Sequence, residues 1–346
     1  MSLSDVVAAI LPFELKGFRA PILAGFIALA VTWLVTPYVI KLAFKHGAVD
    51  DPKRDDRRVH KVPLARWGGI GIYLGILVAL LVVLPFAYPS TVAFPRYLIA
   101  MLAIAGGLAV FGMFDDLKSY SARWQLLALL GAGVVVQFFY GSIGRVQINT
   151  LSIPLSNPPA YFVLGLMAIP ATAFYIFIVT KTMDTIDGID GLSSGIAAIT
   201  ATTLVIIGVY GGQPRVAIVA AAIAGASLGF LRHNYNPAKI IMGTSGPYVL
   251  GFMLAGLSIV GAFKTAAALA LLVPMFAFGV PLFDAFFVIT RRALSGVPIT
   301  QADKRHVHHT LLKQGLSQRQ TVWILYTCAA ALGAVLVYLV VGPRLQ

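Results

Sequence analysis

The chain has 346 residues, of which 59% are hydrophobic and only 11% are charged, whereas soluble domains carry roughly 25% charged residues. A water-soluble fold of this length cannot bury so much apolar surface, so the composition indicates an integral membrane protein. The net charge of +13 does not indicate nucleic-acid binding, because Lys and Arg concentrate in the cytoplasmic loops of membrane proteins. We expect no nucleic-acid partner. The single cysteine, Cys328, excludes an internal disulfide framework.

Ten stretches of the chain are long and apolar enough to cross a bilayer as helices, since a span needs about 20 such residues. In chain order they cover residues 20–43, 68–88, 97–114, 124–140, 159–180, 192–211, 215–231, 241–260, 265–290 and 321–342. A short interfacial helix is predicted before them, over residues 5–16. Pro274, Pro281 and Asp284 predict that the ninth span is kinked or broken. We therefore expect a single all-α transmembrane domain over residues 1–346.

The polar segments between these spans fall into two sets, one on each side of the membrane. One set comprises residues 44–67, 115–123, 181–191, 232–240 and 291–320. It holds 19 of the 26 Lys and Arg residues when Lys41 is assigned to it. The positive-inside rule makes this set cytoplasmic and places both termini outside.

Acidic residues and histidines gather on the same side of the membrane. With Asp284, the cytoplasmic set holds 11 of the 13 acidic residues and all six histidines. The positive-inside rule predicts Lys and Arg there but makes no demand on Asp or His. Long loops account for some of these acids, but not for those in the short loops near 115 and 184–190. The distribution therefore indicates a functional site on the cytoplasmic face.

Asp115 and Asp116 end the apolar run 103–114. Adjacent carboxylates repel each other, and the C-terminus of a helix disfavours negative charge. Such a cost at the membrane edge usually marks function. We interpret the pair as part of a site for Mg²⁺ or phosphate, because Mg²⁺ prefers oxygen ligands and bridges to substrate phosphates. The alternative is the start of a solvated loop.

Asp184, Asp187 and Asp190 follow one another at intervals of three residues. On a helix this spacing places three carboxylates on one face. Gly188 and Gly191 would let the backbone approach a ligand closely. Three like charges next to a membrane span are strongly destabilising without a cation or a donor-rich ligand. The alternative is a polar loop.

Two further cytoplasmic segments are rich in basic and histidine side chains. His306, His308 and His309 follow a Lys-Arg pair, and their spacing does not suit a structural zinc site, so they indicate an anion-binding segment. The first loop, with Arg58 and His60, is basic enough to hold a lipid phosphate or a nucleotide diphosphate. A solvated basic loop is the alternative in both places.

Taken together, these segments form five ordered motifs. They are D-x-P…R-x-H…P…G-G (50–69), D-D-L (115–117), D-G-x-D-G-L (187–192), N-x-x-P-A-K…M-G…G…L-G-F (234–252) and P-L-F-D…R-R…D-x-x-H-x-H-H (281–309). Each motif is weak alone, but in this order, over about residues 20–342, the chain resembles the polyprenyl-phosphate N-acetylhexosamine-1-phosphate transferases. The H-x-H-H form is more similar to the GlcNAc-1-phosphate branch. The phospho-MurNAc-pentapeptide transferase branch, which typically has H-H-H, is the alternative.

The resemblance implies a reaction at the cytoplasmic face of the bacterial inner membrane. A sugar-1-phosphate, GlcNAc-1-phosphate in the favoured branch, passes from a UDP-sugar to undecaprenyl or another polyprenyl phosphate. UMP is released, and a cell-envelope glycan such as lipopolysaccharide or teichoic acid is initiated. The implied cofactor is Mg²⁺, with Mn²⁺ as the alternative ion. The resemblance leaves open whether the protein forms a homodimer.

The resemblance also implies roles for individual residues. Asp115 and Asp116 are catalytic, Asp115 orienting or deprotonating the lipid phosphate. Asp184 and Thr244 occupy the family's metal-ligand positions, with Asp115 or Asp116 as further candidate ligands. The residues expected to bind substrate are Lys181, Asp187, Asp190, Asn234, Arg58, His60, Arg305, His306, His308 and His309.

The chain departs from the family pattern inside this expected site. The family has Asn at 181 and 184, an aromatic at 241, Asp at 244 and Ser at 247, where this chain has Lys181, Asp184, Ile241, Thr244 and Pro247. The changes at 184 and 244 oppose each other in charge, so we hypothesise that carboxylate and neutral ligand have exchanged places.

Other interpretations of these departures stay open. The protein could have lost catalysis and bind lipid phosphate or a nucleotide sugar, or it could use a different sugar donor. A transporter is a further class, but transporters often show repeated halves with binding at the bilayer midplane. This chain shows no convincing internal repeat, and its polar residues lie at one face, which disfavours transport.

Overall fold

The computed structural model describes residues 17–51, 62–87, 95–141, 144–153, 160–262, 279, 283 and 307–345. Several expectations concern residues outside these ranges: the interfacial helix 5–16, almost all of the ninth span, Arg58, His60, Arg305 and His306. For His308 and His309 only the backbone is described, within a short helix.

The described chain is mostly helical. The helices are α1 (Arg19–Lys45), α2 (Gly68–Ala87), α3 (Arg96–Lys118), α4 (Ala122–Val135), α5 (Ala168–Ile186), α6 (Leu192–Tyr210), α7 (Pro214–Asn234), α8 (Ser245–Ala262), α9 (Val307–Lys313) and α10 (Gln318–Leu345). Single 3₁₀ turns at Val136–Phe138 and Gly165–Met167 follow α4 and precede α5.

Seven of the described helices are long and apolar enough to cross a membrane, namely α1, α2, α3, α5 with its preceding turn, α6, α7 and α10. The apolar helices α4 and α8 are shorter. The predicted polytopic membrane architecture is therefore confirmed. The count of ten spans and the outside location of both termini stay predictions.

Two antiparallel strand pairs interrupt the expected all-α fold. β1 (Val49–Asp50) pairs with β2 (Leu64–Ala65), and β3 (Thr150–Ile153) pairs with β4 (Ala160–Val163). The prediction of a span starting at residue 159 is therefore wrong at its beginning, because β4 lies there and α5 starts only at Ala168. The stretch 160–163 ends in an aromatic and a β-branched residue, which suit a strand, and a pattern of apolar residues alone does not distinguish it from a helix.

Small residues let the central helices approach closely. A Cβ added at Gly225 of α7 would lie 1.9 Å from the carbonyl oxygen of Gly25 in α1, so the two backbones are in contact there. Close packing of this kind stabilises helix pairs in membranes, where lipid offers no hydrophobic driving force. α8 packs against both α3 and α5. Its N-terminal end, from Ser245, thereby lies beside the C-terminal end of α3, where the Asp-Asp pair is found.

Candidate active site

Asp115 and Asp116 lie in the last turn of α3, and both are buried, with 6% and 8% of their surface exposed. Burial of two adjacent carboxylates is costly unless donors or cations satisfy them. The structure provides a separate set of partners for each.

Asp115 accepts hydrogen bonds from three donors. The backbone N–H of Tyr120 and the side-chain amide of Gln125 reach Oδ1 at 2.8 and 3.3 Å. The Gln125 amide also lies 3.2 Å from Oδ2, and the Thr244 hydroxyl donates to Oδ2 at 2.7 Å. Ser119 adopts a left-handed conformation (φ 51°), which ends the helix and turns the Tyr120 N–H back toward the carboxylate. Each of these partners donates, so both oxygens of the buried Asp115 carboxylate are satisfied by the protein.

Asp116 is held through one of its two oxygens. Its Oδ1 forms an ion pair with Arg66 at 3.0 Å and accepts the backbone N–H of Thr244 at 3.0 Å. Its Oδ2 is buried and has no hydrogen-bond partner among the described residues. A buried carboxylate oxygen in this state can receive a cation or a ligand proton.

Arg66 and Thr244 arrive on two chain segments that run side by side. The backbone N–H groups of Gly68 and Gly69 donate to the carbonyls of Ile241 and Met242, at 3.2 and 3.1 Å. A Cβ at Gly69 would lie 2.2 Å from the backbone nitrogen of Gly246, so only glycine permits this approach. The segment before α2 and the segment before α8 thus meet over the Asp-Asp pair. Residues 241–244, which we predicted as the start of the eighth span, are not helical.

The prediction that Asp184, Asp187 and Asp190 share one helix face is wrong. α5 ends at Ile186, Asp187 leaves the helix with ψ 44°, and Gly191 has φ +81°. Gly191 lies at the N-terminal cap of α6, where its positive φ would be unfavourable for a residue with a side chain. The acids therefore occupy a helix end and the following turn.

Asp184 forms an ion pair with Lys181, whose Nζ lies 2.6 Å from Oδ2. Lys181 also donates to the side-chain oxygen of Gln125 at 2.9 Å. Both predicted metal positions are thus engaged by protein partners, Asp184 by Lys181 and Thr244 by Asp115 and Asp116. Their role as metal ligands stays a prediction.

Asp187 lies where several negative charges converge. Burial raises the pKa of Asp187 to about 8, with further upward contributions from Asp184, Asp116 and Asp190, whereas Arg66 opposes the shift. The acids predicted from the sequence are therefore brought into one electrostatic neighbourhood, although they come from separate segments. Such a neighbourhood favours a cation or a proton-donating ligand.

Asp190 and Asn234 hold loops together. The Oδ2 of Asp190 accepts from the side chain of Asn236 at 2.9 Å and from the backbone N–H of Ala238 at 3.1 Å. Asn234 is 2% exposed. Its Oδ1 accepts from the Gly191 N–H at 3.1 Å, and its amide donates to the Ile240 carbonyl at 2.9 Å. Asn234 thus fixes the acidic turn to the segment before α8, and its described contacts give no support to the predicted substrate contact.

Two residues at the site were not predicted. Arg66, the last cation before the Gly-Gly pair, carries the ion pair to Asp116, and it also lies 3.9 Å from Asp50. Gln125 links Lys181 to Asp115. The signal for Gln125 was a polar amide at the start of an apolar stretch, and the signal for Arg66 was its place at the membrane boundary, but many residues share such signals.

The site can therefore hold phosphate groups between cations and buried carboxylates. No group of three or more His, Cys, Asp or Glu side chains in the described part of the chain is arranged to hold a metal ion by itself. The free Oδ2 of Asp116 nevertheless fits Mg²⁺, which is commonly bound by one or two carboxylates together with substrate phosphates and water.

A bundle of membrane-spanning helices with buried carboxylates and cations at the helix ends defines a membrane enzyme that handles charged substrates at the bilayer boundary. Residues 98–262 match the model of glycosyl transferase family 4, and the chain belongs to this family. The family resemblance found in the sequence is confirmed.

Relatives cover most of the chain. It is 33% identical over 308 residues to a probable undecaprenyl-phosphate N-acetylglucosaminyl 1-phosphate transferase of Bacillus subtilis (strain 168), covering 88% of this chain and 81% of that protein. It is 31% identical over 352 residues to decaprenyl-phosphate N-acetylglucosaminephosphotransferase of Mycobacterium tuberculosis (strain ATCC 25618 / H37Rv), covering 93% and 84%. The undecaprenyl-phosphate alpha-N-acetylglucosaminyl 1-phosphate transferase of Escherichia coli (strain K12) is 27% identical over 308 residues, with coverage of 87% and 78%.

Proposed function

We propose that this protein transfers GlcNAc-1-phosphate from UDP-GlcNAc to a polyprenyl phosphate and releases UMP. The names of the relatives support this reaction. The observation that carries it is the buried Asp115–Asp116 pair at the end of a membrane-spanning helix, with cations on both sides of it. A transferase joining a lipid phosphate to a water-soluble sugar nucleotide needs such a site at the boundary between bilayer and water.

The chemistry breaks one phosphoanhydride bond and forms another. An oxygen of the polyprenyl phosphate attacks the phosphorus that carries the sugar, and the bond from that phosphorus to the bridging oxygen of UMP breaks. UMP leaves with the electron pair. Asp115, held in place by its three donors, orients the attacking phosphate or accepts its proton. Catalysis of this kind depends mainly on positioning and charge stabilisation.

Mg²⁺, or Mn²⁺ in its place, would be held by Asp116 through its free Oδ2. When bound, such an ion neutralises the charge that develops on the phosphoryl oxygens and on the leaving group. Arg66 fixes the other oxygen of Asp116 and so aims the carboxylate. Asp184 and Thr244 remain proposed metal positions.

The substrates would be bound by charged residues around this pair. Lys181 and Arg66 are cations within the described site, and Asp187 and Asp190 are its neighbouring acids. The remaining proposed substrate contacts are Arg58, His60, Arg305, His306, His308 and His309. The location that we propose is the cytoplasmic face of the bacterial inner membrane, where sugar nucleotides are made.

The decisive experiment uses purified protein with undecaprenyl phosphate, Mg²⁺ and a panel of UDP-sugars, and it detects UMP. We expect release with UDP-GlcNAc, and we expect none with the Asp116→Asn variant. A protein that only binds lipid phosphate or a nucleotide sugar would release no UMP with any donor. Its binding would tolerate the Asp116→Asn substitution. Release with a different UDP-sugar only would keep the reaction class and correct the donor.

A further inference from the structure

Gln125 lies between a residue that can only donate hydrogen bonds and one that can only accept them. Lys181 Nζ donates to Gln125 Oε1 at 2.9 Å. On the other side, Gln125 Nε2 lies 3.3 and 3.2 Å from the two oxygens of Asp115. An ammonium group has no acceptor, and an ionised carboxylate has no donor. The side-chain amide of Gln125 therefore has one favourable orientation.

This orientation depends on Lys181. Without the ammonium, Oε1 would lose its donor, and rotation of the amide would turn that oxygen toward the Asp115 carboxylate, where two acceptors repel. The Lys181–Asp184 ion pair of 2.6 Å fixes the ammonium in its turn. Lys181 lies on α5, Gln125 in the first turn of α4 and Asp115 in the last turn of α3, so the chain of contacts joins three helices.

The exposure of Lys181 and Asp115 distinguishes their roles. The side chain of Lys181 is 39% exposed, whereas Asp115 is 6% exposed and carries the acceptor oxygens of the site. A contact across water-exposed charge alone contributes little. A contact that fixes the direction of a buried carboxylate can contribute much more, because catalytic groups must be held within about 0.5 Å of their productive geometry.

We infer that Lys181 is a positioning residue that acts on Asp115 through Gln125, and that Gln125 sets the direction of the Asp115 carboxylate toward the lipid phosphate. This inference rests on the proposed function, and it assigns Lys181 a role in the chemical step beyond the substrate contact predicted from the sequence. A contact that supports a reacting group only in the transition state acts on kcat and leaves KM nearly unchanged.

The test compares four variants with the wild type in the UMP-release assay. Lys181→Met and Gln125→Leu should each lower kcat about 10- to 100-fold, as expected when support for a functional ligand is removed. KM for UDP-GlcNAc should change by less than about twofold. Because both changes break one chain of contacts, the double variant should be no slower than the slower single variant. Lys181→Arg retains a donor and should recover most of the activity.

The matched control is Lys118→Met, which removes an exposed lysine from the same helix as Asp115 and should leave kcat within about twofold. The thermal transition of each variant in detergent is measured alongside, so that unfolding is recognised. Gln125→Leu is informative because it leaves the Lys181–Asp184 ion pair intact.

Three results would overturn the inference. In the first, the wild type releases UMP and Gln125→Leu is as active as the wild type. This result rejects the positioning role and leaves the proposed function unchanged. The second is a Lys181→Met variant with raised KM, weaker UDP-GlcNAc binding by calorimetry and unchanged kcat, which would make Lys181 a direct nucleotide contact. The third is a wild-type protein without UMP release, which would overturn the proposed function together with the positioning role.

Discussion

The hydroxyl of Thr244 donates to Oδ2 of Asp115 at 2.7 Å, across 129 positions of the chain. The backbone N–H of the same threonine donates to Asp116. A single residue, immediately before α8, therefore contacts both members of the Asp-Asp pair. The family pattern has a carboxylate at this position, and a carboxylate could not donate to Asp115. Thr244 therefore gives this site an additional donor at a position where the family resemblance implies a negative charge.

Thr244→Val removes this donor and keeps the side-chain shape. We expect UMP release to fall about tenfold, because a buried oxygen of Asp115 loses a hydrogen bond worth about 1–3 kcal/mol when its partner is removed. Thr244→Ser keeps the hydroxyl and serves as the control. If Val and Ser variants were equally active, the hydroxyl would have no role in the reaction.

Asp184→Asn tests the exchange of carboxylate and neutral ligand between positions 184 and 244. If Asp184 supplies the charge that Thr244 lacks, the variant should need a higher Mg²⁺ concentration for half-maximal UMP release, by about tenfold. Titration of Mg²⁺ measures this directly. Unchanged activity and an unchanged Mg²⁺ requirement would reject the exchange, and Asp184 would then be a partner of Lys181 alone.

Arg66→Met should destabilise the protein by about 2–3 kcal/mol, because it leaves the fully buried side chain of Asp116 without its cation. This loss is below the roughly 3–5 kcal/mol usual when one partner of a buried ion pair is removed, since the Arg66 side chain is 25% exposed. Thermal unfolding in detergent measures the loss. The double variant Arg66→Met with Asp116→Asn removes both charges and should recover part of the stability. A double variant as unstable as Arg66→Met would show that Arg66 stabilises by packing.

Asp187 should make stability depend on pH. Burial and the neighbouring acids raise the pKa of Asp187 in the folded protein to about 8, well above its value of 3.8 in an unfolded chain. Between about pH 4 and pH 8 the folded state therefore binds more protons than the unfolded state. The stability of the folded protein falls as the pH rises through this window. In Asp187→Asn this decline in stability should be smaller. The melting temperature of the variant should exceed that of the wild type most at pH 8 and above. Melting temperatures measured in EDTA from pH 5 to 9 would check this, and parallel curves would contradict it.

Gly243→Ala should abolish most activity. Gly243 has φ +64°, and a Cβ there would lie 2.2 Å from Oδ2 of Asp116, the oxygen proposed to face the metal. Both the strained backbone and the displaced carboxylate act in the same direction. Gly107→Ala, on the same helix as Asp116 but facing open space, is the control and should remain active. An active Gly243→Ala variant would show that Asp116 can move without consequence.

The sequence alone determined the class of the protein and predicted the acidic residues that the structure gathers at the candidate site. Hydrophobic stretches of membrane-spanning length, and charged residues confined to the segments between them, do not depend on packing, because bilayer thickness and the cost of buried charge impose them locally. The ordered motifs predicted the family, and the family model and the relatives confirm this prediction.

The tertiary structure decided which of these residues meet. Arg66 reaches Asp116 only because Gly68 and Gly69 bond to the segment before α8, and Gln125 reaches Asp115 only because α4 turns back beside α3. The start of α8 was also mispredicted, because Gly243 has φ +64°, a non-helical backbone conformation that an apolar pattern does not record. Contacts between residues more than 100 positions apart follow from helix packing. The sequence pattern can therefore indicate which residues belong to the site, but it does not show which of them contact each other.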